Sequence, residues 1–459
     1  MKPRSSVRLL LCLLAASLTL SHNVYSQQVT AAIQGQVLDA SGAPVPNATI
    51  TAKDVDRGTV FTTTTNGEGI YTQPRLPIGR YEIRAEAKGF QTYVHPAVTL
   101  EINQVARIDF AMSVGQMTET VEVVGTAPLL QTENTMVGTI IDARTNEALP
   151  LATRNYVQLT LLAPGSVHPD PSSMTNGNAT SSGGRPYVNG NREQANNFLL
   201  DGLDNNQVSD NLVGYTPSVD AIAEFNMITN NASAEFGNFM GGIINTSIKS
   251  GTNEYHGNLF EFFRNDVLNA NSWANNWRGS PIPKVRWNMF GATFGGPIKK
   301  DKLFFFVDYQ GQRLNFPNSS STLSVVTAAE RQGDFSALLG RGIQLYNPFQ
   351  LDGSGNRVPF PNNQIPIALL DPVAKNLFAS PQYPLPVTAG LQNNFFNTSA
   401  SHIYVDQGDA KIDYSVTEKH RVSGRYSQSM LRNPSLNSFT LFAPGFNDTP
   451  THNGLVNWT

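Results

Sequence analysis

Apolar and polar residues alternate with period two through most of this chain. In YEIRAEAKGF (81–90), Tyr81, Ile83, Ala85 and Ala87 share one face, and Glu82, Arg84, Glu86 and Lys88 share the other. ATITAKD (48–54) places Ala48, Ile50 and Ala52 inward. IQGQV (33–37) opens this run of strands, ARIDFAM (106–112) closes it, and NGEG (66–69) turns the chain inside it. Short alternating strands separated by Gly, Pro and Asn predict a small antiparallel sandwich. TETVEVVGT (118–126) alternates as well, with Val121 and Val123 on one face and Thr120, Glu122 and Val124 on the other. It follows the finished run, so its backbone N–H and C=O groups need a partner, and on these residues alone that is either the sheet of the preceding run, extended by one strand, or a strand of another protein.

The same period returns after residue 253 in longer segments. DAKIDYSVT (409–417) sets Ala410, Ile412, Tyr414 and Val416 against Asp409, Lys411, Asp413, Ser415 and Thr417. After the turn EKH, RVSGRYSQ (421–428) sets Val422, Gly424 and Tyr426 against Arg421, Ser423, Arg425 and Ser427. This is a hairpin with one wet side. WNMFGATFGGPI (287–298), KKDK and LFFFVDYQGQR (303–313) form a second, aromatic at one end. YHGNLFEFFRND (255–266) reads as a strand whose alternation Glu261 interrupts. Residues 314–400, rich in Pro, Asn and Ser, read as long loops.

Composition narrows the class. Gly 37 and Pro 28 favour many turns over long helices. A net charge of -3, with 15% charged residues, lacks the basic footprint that nucleic acid requires. Lys2, Arg4 and Arg8 precede the apolar run LLLCLLAASLTL (9–20), and Val24-Tyr25-Ser26 suits cleavage between Ser26 and Gln27. Residues 1–26 therefore read as a secretory signal peptide, too short to span a bilayer. Cys12, the single cysteine, lies inside it, so the expected mature chain has no disulfide or thiol ligand. No later run reaches the roughly 18 apolar residues of a membrane helix. An exported protein remains, or a membrane protein built from strands.

Catalytic constellations are missing from the pattern. None of His22, His95, His168, His256, His402, His420 and His452 falls in a zinc-hydrolase spacing, and there is no G-x-S-x-G and no P-loop. LDGSGNR (351–357) lacks the terminal acid of a calcium loop and reads as a glycine turn. Asp201, Asp204 and Asp210 read as turn chemistry. The expectation is no enzyme, no cofactor and no metal.

VLDASGAPVPNATITAKD and TTTNGEGIYTQPRLPIGRYEIRAEAKGFQ resemble the carboxypeptidase regulatory-like domain. That resemblance implies a seven-stranded sandwich of transthyretin-like topology over 27–114, with the turns at Gly67, Gly69 and Pro77-Ile78-Gly79. TETVEVVGT, in the linker 115–130, resembles the TonB box of outer-membrane transporters. The family implies that Glu119, Thr120, Val121, Glu122, Val123 and Val124 add as an edge strand to the periplasmic domain of TonB. Residues 131–252 resemble the plug of that family, on EALPLATRNYVQLTLLAPGSV, GGRPYVNGNREQANNFLLDGLDNN, SVDAIAEFNMITNNASAEFG and MGGIINTSIKSGTNEYHG. In order these imply an early helix, a strand pair carrying the DG turn, a helix-to-strand unit and a last strand. FGATFGGPIKKDKLFFFVDYQGQR resembles the early barrel of the Oar-like group of TonB-dependent proteins.

The expected fold is thus mainly β: sandwich, α/β plug, then over 253–459 the first strands of an antiparallel transmembrane barrel. At about 10 residues per strand those residues supply roughly 6–10 strands, too few to enclose a plug. On that ground the chain is expected to be the N-terminal part of a longer transporter. The family implies import of a scarce solute, a glycan or metal chelate among the possibilities, across the outer membrane and driven through TonB. An alternative reading is a non-transporting surface protein that uses the same scaffold for adhesion or for carbohydrate or envelope binding.

Overall fold

The computed structural model describes residues 30–115, 120–122, 135–151, 153–168, 185–279, 282–317, 322–396, 400–417, 420–435 and 445–459. The described residues are mainly strand, in three successive units.

The first unit contains β1 (Ala31–Asp39), β2 (Thr49–Asp54), β3 (Val60–Thr64), β4 (Ile70–Leu76), β5 (Gly79–Glu86), β6 (Thr92–Leu100), β7 (Val105–Arg107), β8 (Phe110–Met112) and β9 (Thr120–Glu122). One sheet runs β4-β1-β7, with β8 also on β1; the other runs β3-β2-β5-β6-β9. The residues that alternation turns inward do meet in the core: Ala48, Ile50, Ala52, Tyr81, Ile83, Ala85 and Ala87, joined by Ile33, Tyr71, Leu76 and Phe110 from the facing sheet. Burying each larger side chain contributes about 1.5–3 kcal/mol relative to exposure. At Gly35 the sheets leave no room for a side chain, because a Cβ there would lie 1.8 Å from the Ile108 carbonyl oxygen. That same oxygen accepts the Tyr71 hydroxyl at 2.7 Å.

One expectation is corrected in this unit. The sandwich is not purely antiparallel: β7 and β8 both run parallel to β1. After β6 the chain crosses to the other sheet and re-enters it alongside β1 in the same direction. Of the two readings of TETVEVVGT, extension of the first domain's sheet is present over Thr120, Val121 and Glu122, which pair in parallel with Thr92, Tyr93 and Val94 of β6. The outer edge of β6 offers the free backbone groups that this strand requires.

The second unit contains β10 (Val137–Asp142), α1 (Ala143–Ala148), a 3₁₀ helix at Tyr156–Leu162, the short pair β11 (Ser166–Val167) and β12 (Tyr187–Val188), β13 (Asn197–Leu200), β14 (Leu203–Asp204), β15 (Ile222–Asn230) and β16 (Ile243–Ile248). Its sheet runs β10-β15-β16-β13-β14. The expected strand pair with the DG turn is present, with Asp201 and Gly202 both at positive φ. The expected helices are shorter than the sequence suggests. The early one is split between α1 and the 3₁₀ helix, with Pro150 between them, and the second is a single 3₁₀ turn, Val219–Ala221. Proline disfavours helical backbone in the residue before it. Tyr156, Val157, Leu159, Phe198, Ile222, Phe225, Met227 and Ile244 form the core.

The third unit is one antiparallel sheet of β17 (His256–Asn265), β18 (Arg286–Lys299), β19 (Leu303–Pro317), β24 (Ala400–Ser415), β25 (Arg421–Ser435) and β26 (Gly445–Trp458), in chain order. Among the described residues it is open, with β17 and β26 at its edges. Both expected hairpins are present with faces matched. A helix, α2 (Trp273–Arg278), lies between β17 and β18. The excursion between β19 and β24 has structure of its own: β20 (Thr322–Leu323) pairs with β23 (Phe395–Phe396), β21 (Tyr346–Leu351) pairs with β22 (Arg357–Pro359), and α3 (Ala328–Arg331) and α4 (Pro372–Ala379) lie among them. LDGSGNR is the β21–β22 turn, where Asp352 accepts the backbone N–H groups of Ser354 and Asn356.

Candidate functional site

One face of the third sheet is apolar and exposed, and the other is buried, carrying charged and polar residues alongside the apolar Trp287, Met289, Phe304, Phe306, Leu314 and Ile403. Leu259, Phe294, Val307, Tyr309, Ile412, Tyr414, Tyr426 and Val456 are exposed on one face, while Thr293, Asp308, Gln310, Gln312, Asp409, Lys411, Arg425 and Ser427 are buried on the other. Buried polar groups must be satisfied, and a partner has to supply what the sheet lacks. Here the second unit covers the polar face.

The register makes this dependence specific. Asp308 lies opposite Asp409, and Lys411 lies opposite Arg425. Like charges directly across a strand pair repel. The second unit supplies a donor to Asp409 of the first pair and a shared carboxylate to both cations of the second. Tyr215 donates its hydroxyl to Asp409 at 3.0 Å, and Ser427 donates to the same carboxylate. Asp201 meets Lys411 at 3.0 Å and Arg425 at 2.7 Å. Its own orientation is fixed by the Ser247 hydroxyl and the Ile248 N–H, both at 3.1 Å. Around this centre Ser218 donates to Gln310, Gln407 donates to the Thr216 carbonyl, and Ser250 bonds Asp413. Arg154, buried, pairs with Asp220 at 2.6 Å and lies 4.0 Å from the Phe262 ring centre. A cation over an aromatic face, with a carboxylate beside it, is a strong anchor when desolvated.

The sandwich seats on this assembly at two places. Ile102, in the turn after β6, donates its N–H to Glu224 Oε1 at 2.6 Å and accepts from the Asn226 amide at 3.0 Å. Both partners belong to β15, so one residue is clamped through both its backbone groups. At the second place, the Asn253 N–H donates to the Asp56 carbonyl at 2.9 Å, and the Asn253 side chain bonds Asp301. A cavity of about 1050 Å³, lined by Arg57, Glu101, Glu224, Lys249, Asp413 and Arg421 among others, lies where the three units meet.

The coupling residues expected from sequence are brought together only in part. Thr120, Val121 and Glu122 form β9 on the sandwich edge. Glu119, Val123 and Val124, together with Ser26, Gln27 and the signal segment, lie outside the described residues. Of the three aspartates read as turn residues, Asp204 does accept the Asn206 N–H at 2.8 Å. Asp210 offers its carbonyl to Arg185 at 2.6 Å. Asp201 occupies its turn and also carries the central ion pairs, a role that local sequence does not reveal. The signal available was the polar face of 409–415 and 421–427, which places Asp409, Lys411 and Arg425 where a counter-charge is needed. Among the described residues no group of three or more His, Cys, Asp or Glu could hold a metal ion.

The family described as carboxypeptidase regulatory-like domain matches residues 32–113, and that described as outer membrane beta barrel domain matches residues 247–459. The TonB-dependent transporter Oar of Myxococcus xanthus is 30% identical over 308 residues, which is 64% of this chain and 28% of that protein. Among solved structures, the outer membrane transporter YddB from Escherichia coli aligns with a TM-score of 0.40 at 13% identity, over 66% of this chain and 34% of its own. The siderophore receptor PirA from Acinetobacter baumannii aligns with a TM-score of 0.35 at 14% identity, over 65% and 32%. The chain therefore spans about a third or less of the length of each of these relatives. The barrel-domain match and the transporter likeness point to the outer membrane. By these matches the chain joins a carboxypeptidase regulatory-like domain to an outer membrane beta barrel domain, and it is similar in sequence to a TonB-dependent transporter.

Proposed function

We propose that this chain forms the periplasm-facing and early-barrel part of a TonB-dependent importer. Residues 1–26 are its cleaved signal, 27–114 its sandwich, 115–130 the coupling linker, 131–252 the plug, and 253–459 the first strands of a barrel in outer-membrane lipid. The observation that carries the reading is the third sheet: an exposed apolar face, and a buried face whose charged residues are met by the second unit. A lipid-facing band over a polar lumen has this pattern. Solute binds on the side of the plug away from the sandwich, and TonB engages Glu119–Val124 by adding a strand. Placement of Thr120–Glu122 at a sheet edge supports that role, because an edge strand keeps one row of backbone groups free for a partner.

The test is binding of the purified periplasmic domain of TonB to the chain, with Val121→Pro and Val121→Thr. Proline removes a backbone donor and fixes φ, whereas threonine keeps the backbone and the strand propensity. The expected result is a loss of at least about tenfold in affinity for proline and little change for threonine. Because β9 is only a short edge strand, the proline should lower sandwich stability by about 1 kcal/mol or less. Equal binding by both variants would remove the coupling role and favour a surface protein that does not use TonB.

A further inference from the structure

The clamp on Ile102 is built around an acid in an unusual position. Glu224 is buried on β15, and one carboxyl oxygen receives the Ile102 N–H. We propose that the seating of the sandwich on the second unit is proton-linked: the clamp holds while Glu224 is protonated and loosens when it ionises. A neutral carboxyl can accept that N–H and leave no charge in the interface. An ionised one is a buried charge with a single backbone donor, and such a charge is costly unless it is paired.

The surroundings offer repulsion rather than a counter-ion. Glu101 faces Glu224 from the turn after β6, and Asp142 faces it from the end of β10. Asp142 is held ionised, since the Thr145 side chain and N–H keep its carboxyl below the usual range. Of the cations and titratable bases lining the same cavity, Lys249 pairs with Glu147 at 2.5 Å, Arg80 pairs with Asp56 at 2.5 Å, Arg57 pairs with Asp54 at 2.9 Å, Lys411 pairs with Asp201, Arg421 lies by Asp413, and His256 faces Glu254 at 3.8 Å. Arg144 lies by Asp142. Burial pushes the Glu224 carboxyl up to about 8; the Ile102 N–H opposes this, and Glu101 and Asp142 add to it.

The sign follows from linkage. A carboxyl that binds its proton more tightly when docked gives its full contribution below the ordinary value of 4.5. That contribution falls as pH rises and is gone above about 8. One proton released on undocking makes the docking constant fall about tenfold per pH unit across that window.

The measurement uses the whole chain in a Cys12→Ser background, with spin labels at Glu68→Cys in a sandwich turn and Val208→Cys on the second unit, both exposed. Dipolar spectroscopy from about pH 5 to about pH 9 reads their separation. The proposal expects one short distance at the acid end and a longer population that grows toward about pH 8 and then levels. Glu224→Gln keeps an acceptor for Ile102 without a charge to form, and should hold the short distance throughout. A separation unchanged across the range, or a longer population that grows equally in Glu224→Gln, would overturn the proposal.

Discussion

Asp201 concentrates three requirements in one side chain. It sits at φ 51° in the β13–β14 turn, a conformation that Asp and Asn tolerate better than other non-glycine residues. Its carboxylate separates Lys411 from Arg425, two cations that the sheet register sets directly opposite each other. All three side chains are nearly or fully buried. Asp201→Asn keeps the turn and the shape but leaves two buried cations without a counter-charge. Breaking a buried network in this way costs about 3–5 kcal/mol. The expected outcome is an unfolding free energy from urea titration lowered by that amount, with the loss concentrated in hydrogen exchange of β13 and β16. Little of this was legible in the sequence, because the partners lie 210 and more residues away from Asp201. Period-two alternation showed only that Lys411 and Arg425 face the polar side; it could not show what meets them there.

At the scale of elements, alternation was a sound guide wherever one face meets a core. Tyr81, Ile83 and Ala85 are fully buried, and the hairpins at 286–317 and 400–435 have the faces that their sequences imply. It was a poor guide to helix length in the second unit, where Val219–Ala221 makes one turn before β-branched and aromatic residues continue as β15. It also could not choose a partner for TETVEVVGT, since three residues of alternation fit any free edge. The sandwich itself has a closed apolar core that takes nothing from the other units. Residues 27–114, which lack β9 and contain no cysteine, should therefore unfold cooperatively when purified alone, with β-type circular dichroism. A broad, non-cooperative melt would mean that the sandwich depends on its seat at Ile102 and Asn253.

For the whole molecule, the arrangement follows from which surfaces cannot be left in water or without partners. The sandwich closes its own apolar core and leaves the backbone groups of Ile102 to the second unit. The second unit offers Asp201, Tyr215, Ser218 and Ser250 to a sheet whose inner face is charged. The outer face of that sheet is apolar and finds no protein partner among the described residues. On the proposed reading, lipid meets this outer face. Position 412 tests it most directly, because Ile412 is half exposed on β24 between the inward residues Lys411 and Asp413. An environment-sensitive fluorophore on Ile412→Cys, with Gln310→Cys as the inward control, can be read in membranes carrying a spin-labelled acyl chain. Lipid contact predicts quenching at 412 by the acyl-chain label and none by aqueous iodide, with no acyl-chain quenching at 310. Quenching at 412 by iodide alone would contradict it, and would make the sheet a soluble one with an apolar surface still to be covered.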